Sequence, residues 1–289
     1  ARRLREGRMN RLNLHLVSDS TGETLEMIAK AALAQFDDPH VSRHFWPMVR
    51  SRQHLDRIVP ELAANPGLVL YTLVNAESRV RLEEHCRHLG LPAVAVLDQV
   101  TAALESQLGQ EAHGRPGRQH SMDEHYFKRV DAIHYTIAHD DGVGYEEWEE
   151  ADIVLTGVSR TSKTPTSIYL ANRGYKVANI PLVVESPPPK ALFGLRHPLV
   201  VGLTTAPERL VQIRRNRLLT LNETTETSYV DNGRVKDELQ FARRMFADNG
   251  WPVIDVTRRS IEETAAAIIR LVQDRSRRDQ QIGGVSKPI

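Results

Sequence analysis

The chain has 289 residues, 40% of them hydrophobic and 26% charged, with a formal net charge of +1 and a single cysteine, Cys86. That length suits two domains with ordinary cores, and one cysteine excludes an internal disulfide framework and fits a reducing compartment. No apolar run approaches the ~18 residues of a membrane-spanning helix, so a cytoplasmic protein with no membrane partner is expected. The small net charge conceals basic ends, since residues 1–11 carry five Arg against one Glu and Arg275, Arg277 and Arg278 crowd the other terminus. Neither end interleaves aromatics with its cations. Both therefore read as disordered solvated arms (1–11 and 276–289) and not as nucleic-acid surfaces. The first arm also lacks the apolar core of a secretory signal.

Leu12 to Val17 alternates and then turns apolar, the pattern of a strand. It runs into Ser18-Asp19-Ser20-Thr21-Gly22, then a helix carrying Leu25, Ile28, Ala29, Ala32, Leu33 and Phe36. Small polar residues between strand and helix suit an anion site, with Ser18, Ser20 and Thr21 as its candidates. No lysine follows, and the plainer alternative is a helix cap, either Ser20 with Glu23 at capping-box spacing or Thr21. Three more strand–helix pairs follow: Phe45–Val49 with a helix around Leu55 to Leu62, Leu68–Val74 with Ala76–Leu89, and Ala93–Leu97 with Val100–Leu108. Strands alternating with helices at this spacing predict a parallel sheet covered on both faces, one α/β domain over residues 12–108.

Residues 109–121 break the pattern with Gly114, Pro116 and Gly117 and read as a linker. A helix from Met122 to about Ile137 follows, with Tyr126, Phe127, Val130, Ile133 and Ile137 along one stripe. Next come His139-Asp140-Asp141-Gly142. Adjacent carboxylates in a loop suit metal binding or proton transfer from a hydroxyl, or else form a solvated acidic turn pivoting on Gly142. Ile153, Val154, Leu155 and Val158 then supply a buried strand, broken at Gly157. A polar loop reaches Lys163-Thr164-Pro165, and Ile168, Leu170 and Ala171 resume a helical pattern.

Strand, polar loop and Lys-Thr at a helix start is the layout of a phosphate-binding loop, whose backbone N–H groups and helix N-terminus face the phosphates. Read against G-x-x-x-x-G-K-[ST], the segment is Gly157, Val158, Ser159, Arg160, Thr161, Ser162, Lys163, Thr164. Ser162 replaces the second glycine, which is expected to make the loop wrap differently. Lys163 would reach the outer phosphates and Thr164 would hold a magnesium ion. The alternative is a polar turn with an incidental Lys-Thr.

Lys176–Val184 reads as the next strand, Ser186–Pro189 as a turn, and Leu199–Leu203 as a third strand. The helix from Glu208 to Leu219 carries Arg209, Arg214, Arg215 and Arg217. Arginines there would neutralise charge on a transferred phosphoryl group, although one face cannot present all four. Residues 222–233 read as a mobile polar loop. They are followed by a helix at Val235–Asp248, a strand at Val253–Val256 and a helix at Ile261–Val272. The second domain thus spans 122–275, and the fold class is α/β: two α/β domains with mostly parallel sheets, the C-terminal one P-loop kinase-like.

GVSRTSKTPTSIYLANRGYKVANIPLV (157–183), SDSTGET (18–24), QHSMDEHYFKRVDAIHYTIAHDDG (119–142) and GLTTAPERLVQIRRNRL (202–218) together resemble the pyruvate, phosphate dikinase regulatory proteins of bacteria and plants. A sister family regulating phosphoenolpyruvate synthase is similar in layout. It usually has Cys-Gly before the loop lysine and a following Asn-Tyr-Pro, where this chain has Thr161-Ser162 and Asn179-Ile180-Pro181.

The resemblance implies a bifunctional serine/threonine kinase and pyrophosphorylase. ADP donates its β-phosphoryl group to a threonine of the dikinase, and inorganic phosphate later removes it as pyrophosphate. Residues 157–164 would then hold ADP, with Lys163 stabilising the transferred group and Thr164 a magnesium ligand. Asp140 or Asp141 would be the base or a metal partner. Arg214, Arg215 and the Ser18–Thr24 loop are candidates for the second anion, and a homodimer is implied. The same chemistry on phosphoenolpyruvate synthase, a small-molecule P-loop kinase and a non-catalytic nucleotide switch are the other readings.

Overall fold

A computed structural model describes residues 12–114, 117, 124–220 and 228–283. The basic arm at 1–11, much of the 109–121 linker and part of the 222–233 loop lie outside the described residues. The chain divides into two compact units, Ala1–Ser121 and Met122–Ile289.

The first unit holds strands β1 (Leu12–Ser18), β2 (Val41–Trp46), β3 (Leu68–Thr72) and β4 (Ala93–Ala95). Its helices are α1 (Glu23–Leu33), α2 (Arg52–Ala64), α3 (Ala76–His88) and α4 (Asp98–Leu108). The sheet order is β2-β1-β3-β4, with parallel pairing throughout. β1 is buried on both faces. Leu14 and Leu16 pack with Leu25 and Ala29 of α1, while Val17 joins Leu55, Leu62, Val69 and Leu82 beneath α2 and α3. Each buried leucine contributes about 1.5–3 kcal/mol relative to exposure.

β2 lies earlier than the expected Phe45–Val49. Its register against β1 runs from Val41 to Trp46 and stops before Pro47, which has no N–H to give the ladder. Met48 beyond it has a positive φ of 58°. The expected cap on α1 is also absent: the cap position is Gly22, left-handed at φ 82°, with no side-chain cap bond. Phe45 crowds that glycine, since a Cβ there would lie 2.5 Å from the ring.

The second unit opens on α5 (Glu124–Ala138) and a 3-10 turn (Tyr145–Glu150). It continues as β5 (Ile153–Gly157), α6 (Lys163–Ala171), β6 (Val177–Pro181), the short α7 (Ala191–Gly194) and β7 (Leu199–Thr204). It ends with α8 (Pro207–Thr220), α9 (Asn232–Asp248), β8 (Val253–Asp255) and α10 (Ile261–Gly283). The sheet, β6-β5-β7-β8, is again all parallel among the described residues. Ile153 and Leu155 pack against Leu170, Ala265 and Ile268 on one face, and Val154 packs against Trp148 and Ala178 on the other.

α10 continues to Gly283, where a disordered arm from residue 276 is expected. Arg275, Arg277, Arg278 and Gln280 are good helix formers. Arg275 also donates to the Arg196 carbonyl at 2.5 Å and Ser276 to Val272 at 3.1 Å. On α5 the buried residues are Ala132, Tyr135 and Thr136, while Phe127 and Ile137 of the apolar stripe are exposed.

Candidate active site

In an order such as β6-β5-β7-β8 the connections leaving β5 and β7 diverge, which opens a crevice at the carboxyl ends of those two strands. The loop from Gly157 to Thr164 fills the β5 side of that crevice. Gly157 has φ 150°, and a Cβ on it would lie 2.4 Å from the Leu203 carbonyl oxygen of β7, so only glycine lets the chain turn there. Val158 is buried with Leu182, Leu210 and Phe246. The Thr161 hydroxyl donates to the Val158 carbonyl at 2.9 Å and closes the loop on itself.

Ser162 takes up the backbone conformation open to the glycine it replaces. It is left-handed at φ 61°, ψ 24°, the conformation a glycine adopts without strain, and Arg160 two residues earlier is left-handed as well at φ 73°. Ser162 is also the N-cap of α6 and makes no side-chain cap bond. The first N–H groups of α6 therefore have no side-chain partner at their cap and face the loop's mouth, as anion binding requires.

Lys163 is 6% exposed, and its ammonium donates to the Gly157 and Val158 carbonyls, each at 3.0 Å. Burial lowers its pKa to about 8, against the opposing pull of Asp141 and Asp140. The Thr164 hydroxyl donates to Asp140 Oδ1 at 2.9 Å. Lys163, Thr164, Asp140 and Asp141 are thus brought together at one end of the sheet.

The acidic loop is strung on one residue of β6. Asn179 is fully buried, and its side-chain amide donates to Asp140 Oδ1 at 2.5 Å and accepts from the Asp141 N–H at 3.3 Å. Its backbone N–H donates to the His139 carbonyl at 3.1 Å, and its carbonyl accepts from Gly142 at 2.8 Å. From the other side the buried His139 reaches the Tyr135 carbonyl at 2.7 Å and Glu147 at 3.2 Å. Asn179 was not among the expected site residues. The available signal was a lone amide inside the apolar strand KVANIPLVV, where a buried polar group needs a partner.

Thr164 and Asp140 offer hard oxygen donors one hydrogen bond apart. This fits magnesium, which takes one or two protein oxygens and completes its shell with phosphate and water. Among the described residues no cluster of three or more His, Cys, Asp or Glu forms a metal cage.

The arginine helix divides. Arg214 is 1% exposed, and its guanidinium meets Glu238 at 2.6 and 3.3 Å, the Tyr229 carbonyl at 3.0 Å and the Ser159 carbonyl at 3.5 Å. It also lies 4.4 Å above the Tyr229 ring, whose hydroxyl takes Arg160 Nε at 3.3 Å. Arg214 is thus paired with Glu238 and tied to the 157–164 loop through the Ser159 carbonyl. Arg215 points the other way and is exposed. In the first unit, Ser18 Oγ accepts from Ser20 N at 3.2 Å and from the Thr72 hydroxyl at 3.0 Å, which ties the loop after β1 to β3. Ser18 and Ser20 are buried, whereas Thr21 is exposed beside the buried Gly22. Asp19, also buried, accepts from Val74 N at 2.8 Å, and burial raises its pKa.

Residues 14–269 match the model of the kinase/pyrophosphorylase family. A relative from Erythrobacter litoralis is 78% identical over 270 residues, covering 93% of this chain and 97% of its own. One from Novosphingobium aromaticivorans is 75% identical over 281 residues (97% and 100%), and one from Caulobacter vibrioides is 52% identical over 260 residues (90% and 82%). All three are provisionally named pyruvate, phosphate dikinase regulatory proteins. Among solved structures, a periplasmic solute-binding protein of Actinobacillus succinogenes aligns at 11% identity with a TM-score of 0.23, covering 96% of this chain and 94% of that one, too remote to carry an argument.

Proposed function

The chain belongs to the kinase/pyrophosphorylase family and is a phosphotransferase, and on that premise we propose that it regulates pyruvate, phosphate dikinase by reversible threonine phosphorylation. ADP is the donor. The threonine oxygen attacks the β-phosphorus, the bond to the bridging oxygen breaks, AMP leaves, and the hydroxyl proton passes to a carboxylate. In the opposite direction an oxygen of inorganic phosphate attacks the phosphothreonine phosphorus. The bond to threonine breaks, the threonine oxygen regains a proton, and pyrophosphate leaves.

The observation that carries this reading is the 2.9 Å bond from the Thr164 hydroxyl to Asp140 beside the buried Lys163. Phosphoryl transfer needs charge neutralisation and positioning more than covalent chemistry, and these groups supply both at the mouth of the loop. The backbone N–H groups of 158–164 hold the ADP phosphates, and Lys163 leaves its two carbonyls to meet the transferred group. Thr164 and Asp140 are the residues to hold Mg2+, which when bound neutralises phosphate charge. Asp140 is already engaged by Thr164 and Asn179. Asp141, exposed beside it, is left as the base for the incoming threonine.

The protein works in the cytoplasm, as a homodimer formed across the exposed Phe127 and Ile137 of α5. The test is incubation with purified dikinase and ADP labelled at the β-phosphate. Label on a dikinase threonine is expected. Label arriving only from the γ-phosphate of ATP overturns the donor assignment, and labelling of free metabolites in place of protein favours a small-molecule kinase.

A further inference from the structure

Several basic residues of this chain are paired with acids. Arg79, Arg81, Arg214 and Arg234 each hold a carboxylate. Lys128, Arg129 and Arg173 hold none among the described residues, yet they line one cleft of about 450 Å3 with His125 and Tyr175. The single carboxylate lining that cleft, Asp152, accepts from the Lys176 N–H at 2.8 Å, and the Lys176 ammonium is paired with Asp131 at 3.0 Å. The cleft therefore sets three cations against one carboxylate and keeps a net positive charge.

Lys128 and Arg129 are exposed, but they share one side of α5 with its buried residues. On α5 the positions that face the body repeat as His125, Lys128, Arg129, Ala132, Tyr135 and Thr136, at spacings of three and four. The last three are buried. The inward stripe thus turns from apolar to basic in the first two turns, where α5 runs past the amino-terminal edge of the sheet. Opposite it stands the turn after α6, with Gly174 left-handed at φ 87°. Two of the cations are held by aromatic rings: Arg129 lies 5.7 Å from the Tyr126 centroid and Arg173 5.2 Å from that of Tyr169, to whose hydroxyl it also donates at 2.9 Å. Stacking fixes a guanidinium while leaving its outer N–H edge open for a carboxylate.

Asp140 follows the far end of α5, so the 15 residues of that helix put about 20 Å between cleft and phosphate loop. We propose that this cleft docks an acidic segment of the protein substrate, an inference that rests on the reading of the chain as a protein kinase. At about 450 Å3 the cleft has room for two or three carboxylate side chains. Its exposed cations suit a partner's surface charges, which steer encounter and set specificity at a distance from the chemistry. Docking there would distinguish one protein's threonine from others while leaving the phosphate loop free for ADP and phosphate.

The test is the triple charge reversal K128E/R129E/R173E in the full chain, with dikinase as substrate. KM for the dikinase is expected to rise roughly tenfold or more, with kcat and KM for ADP unchanged. Added salt should lower kcat/KM for the wild type and have little effect on the variant. The charge-preserving K128R/R129K/R173K should retain the wild-type KM. Independently of catalysis, a fluorescent hexaglutamate peptide should bind the wild type and not the reversal variant. That arm decides the matter even if the wild type proves inert toward dikinase, an outcome that would count against the functional reading alone. An unchanged KM for dikinase, a parallel loss of ADP binding, or a peptide that ignores the wild type overturns the proposal.

Discussion

Lys163→Met removes a buried charge whose cost follows from the structure. An unperturbed lysine titrates near 10.4, and in the folded protein burial lowers Lys163 to about 8. That lowering corresponds to about 3 kcal/mol by which the charged form is disfavoured on folding. Below pH 8 both states carry the proton, so the whole penalty is present. Between pH 8 and about 10.4 the folded state releases its proton first and the penalty fades, so the wild type gains stability as pH rises through that window. The methionine variant lacks this term. No carbonyl is orphaned by the change, because Gly157 O still accepts from Leu182 N at 2.9 Å and Val158 O from the Thr161 hydroxyl at 2.9 Å.

The variant should therefore be more stable than wild type by up to about 3 kcal/mol at pH 7, with the gap closing toward pH 10.5. It should lose both phosphoryl-transfer directions. Urea unfolding followed by circular dichroism at pH 7, 9 and 10.5 measures the gap, and differencing the two proteins cancels other titrations. A variant less stable at pH 7, or a gap independent of pH, would refute the reasoning.

Ser162→Gly should change stability by less than about 1 kcal/mol, because relief of left-handed strain is offset by unfolded-state entropy, and it should keep ADP affinity in calorimetry. Ser162→Val, branched where φ is 61°, should cost about 1–2 kcal/mol and weaken ADP binding. Asn179→Ala frees Asp140 and should lower kcat about 10–100-fold with little change in KM for ADP, a split that steady-state kinetics reads directly. Glu238→Ala leaves the Arg214 guanidinium buried without its counter-charge and should cost about 3–5 kcal/mol in urea unfolding; a loss under 1 kcal/mol would mean the pair is slack.

Much of the frame is legible in the residues. IVLTG buries both faces and LVLYT one face fully and the other in part, and the glycine, lysine and threonine of the loop announce a strand–turn–helix. What escaped is what depends on partners far away in the chain. β2 ends where Pro47 leaves the ladder, so its bounds follow from its register with β1 and not from its own apolar residues. The Ser20–Glu23 spacing suggests a cap, but the crowded Gly22 takes that place. Arg214 and Arg215 look equivalent in sequence, yet the roughly 100° between neighbours on a helix sends the first to Glu238 and leaves the second in solvent. Asn179 can be recognised as a buried amide from its strand, but only the fold places His139–Gly142 beside it.

The central claim is that one phosphate loop serves both directions, with phosphate and not water as the acceptor on reversal. The direct measurement uses phosphorylated dikinase, 32P-labelled inorganic phosphate, wild type and Lys163→Met. The wild type should convert the label to pyrophosphate in step with threonine dephosphorylation, and the variant should do neither this nor ADP-dependent phosphorylation. Release of the threonine phosphoryl group as orthophosphate without labelled pyrophosphate, or a variant that keeps one direction, would contradict it.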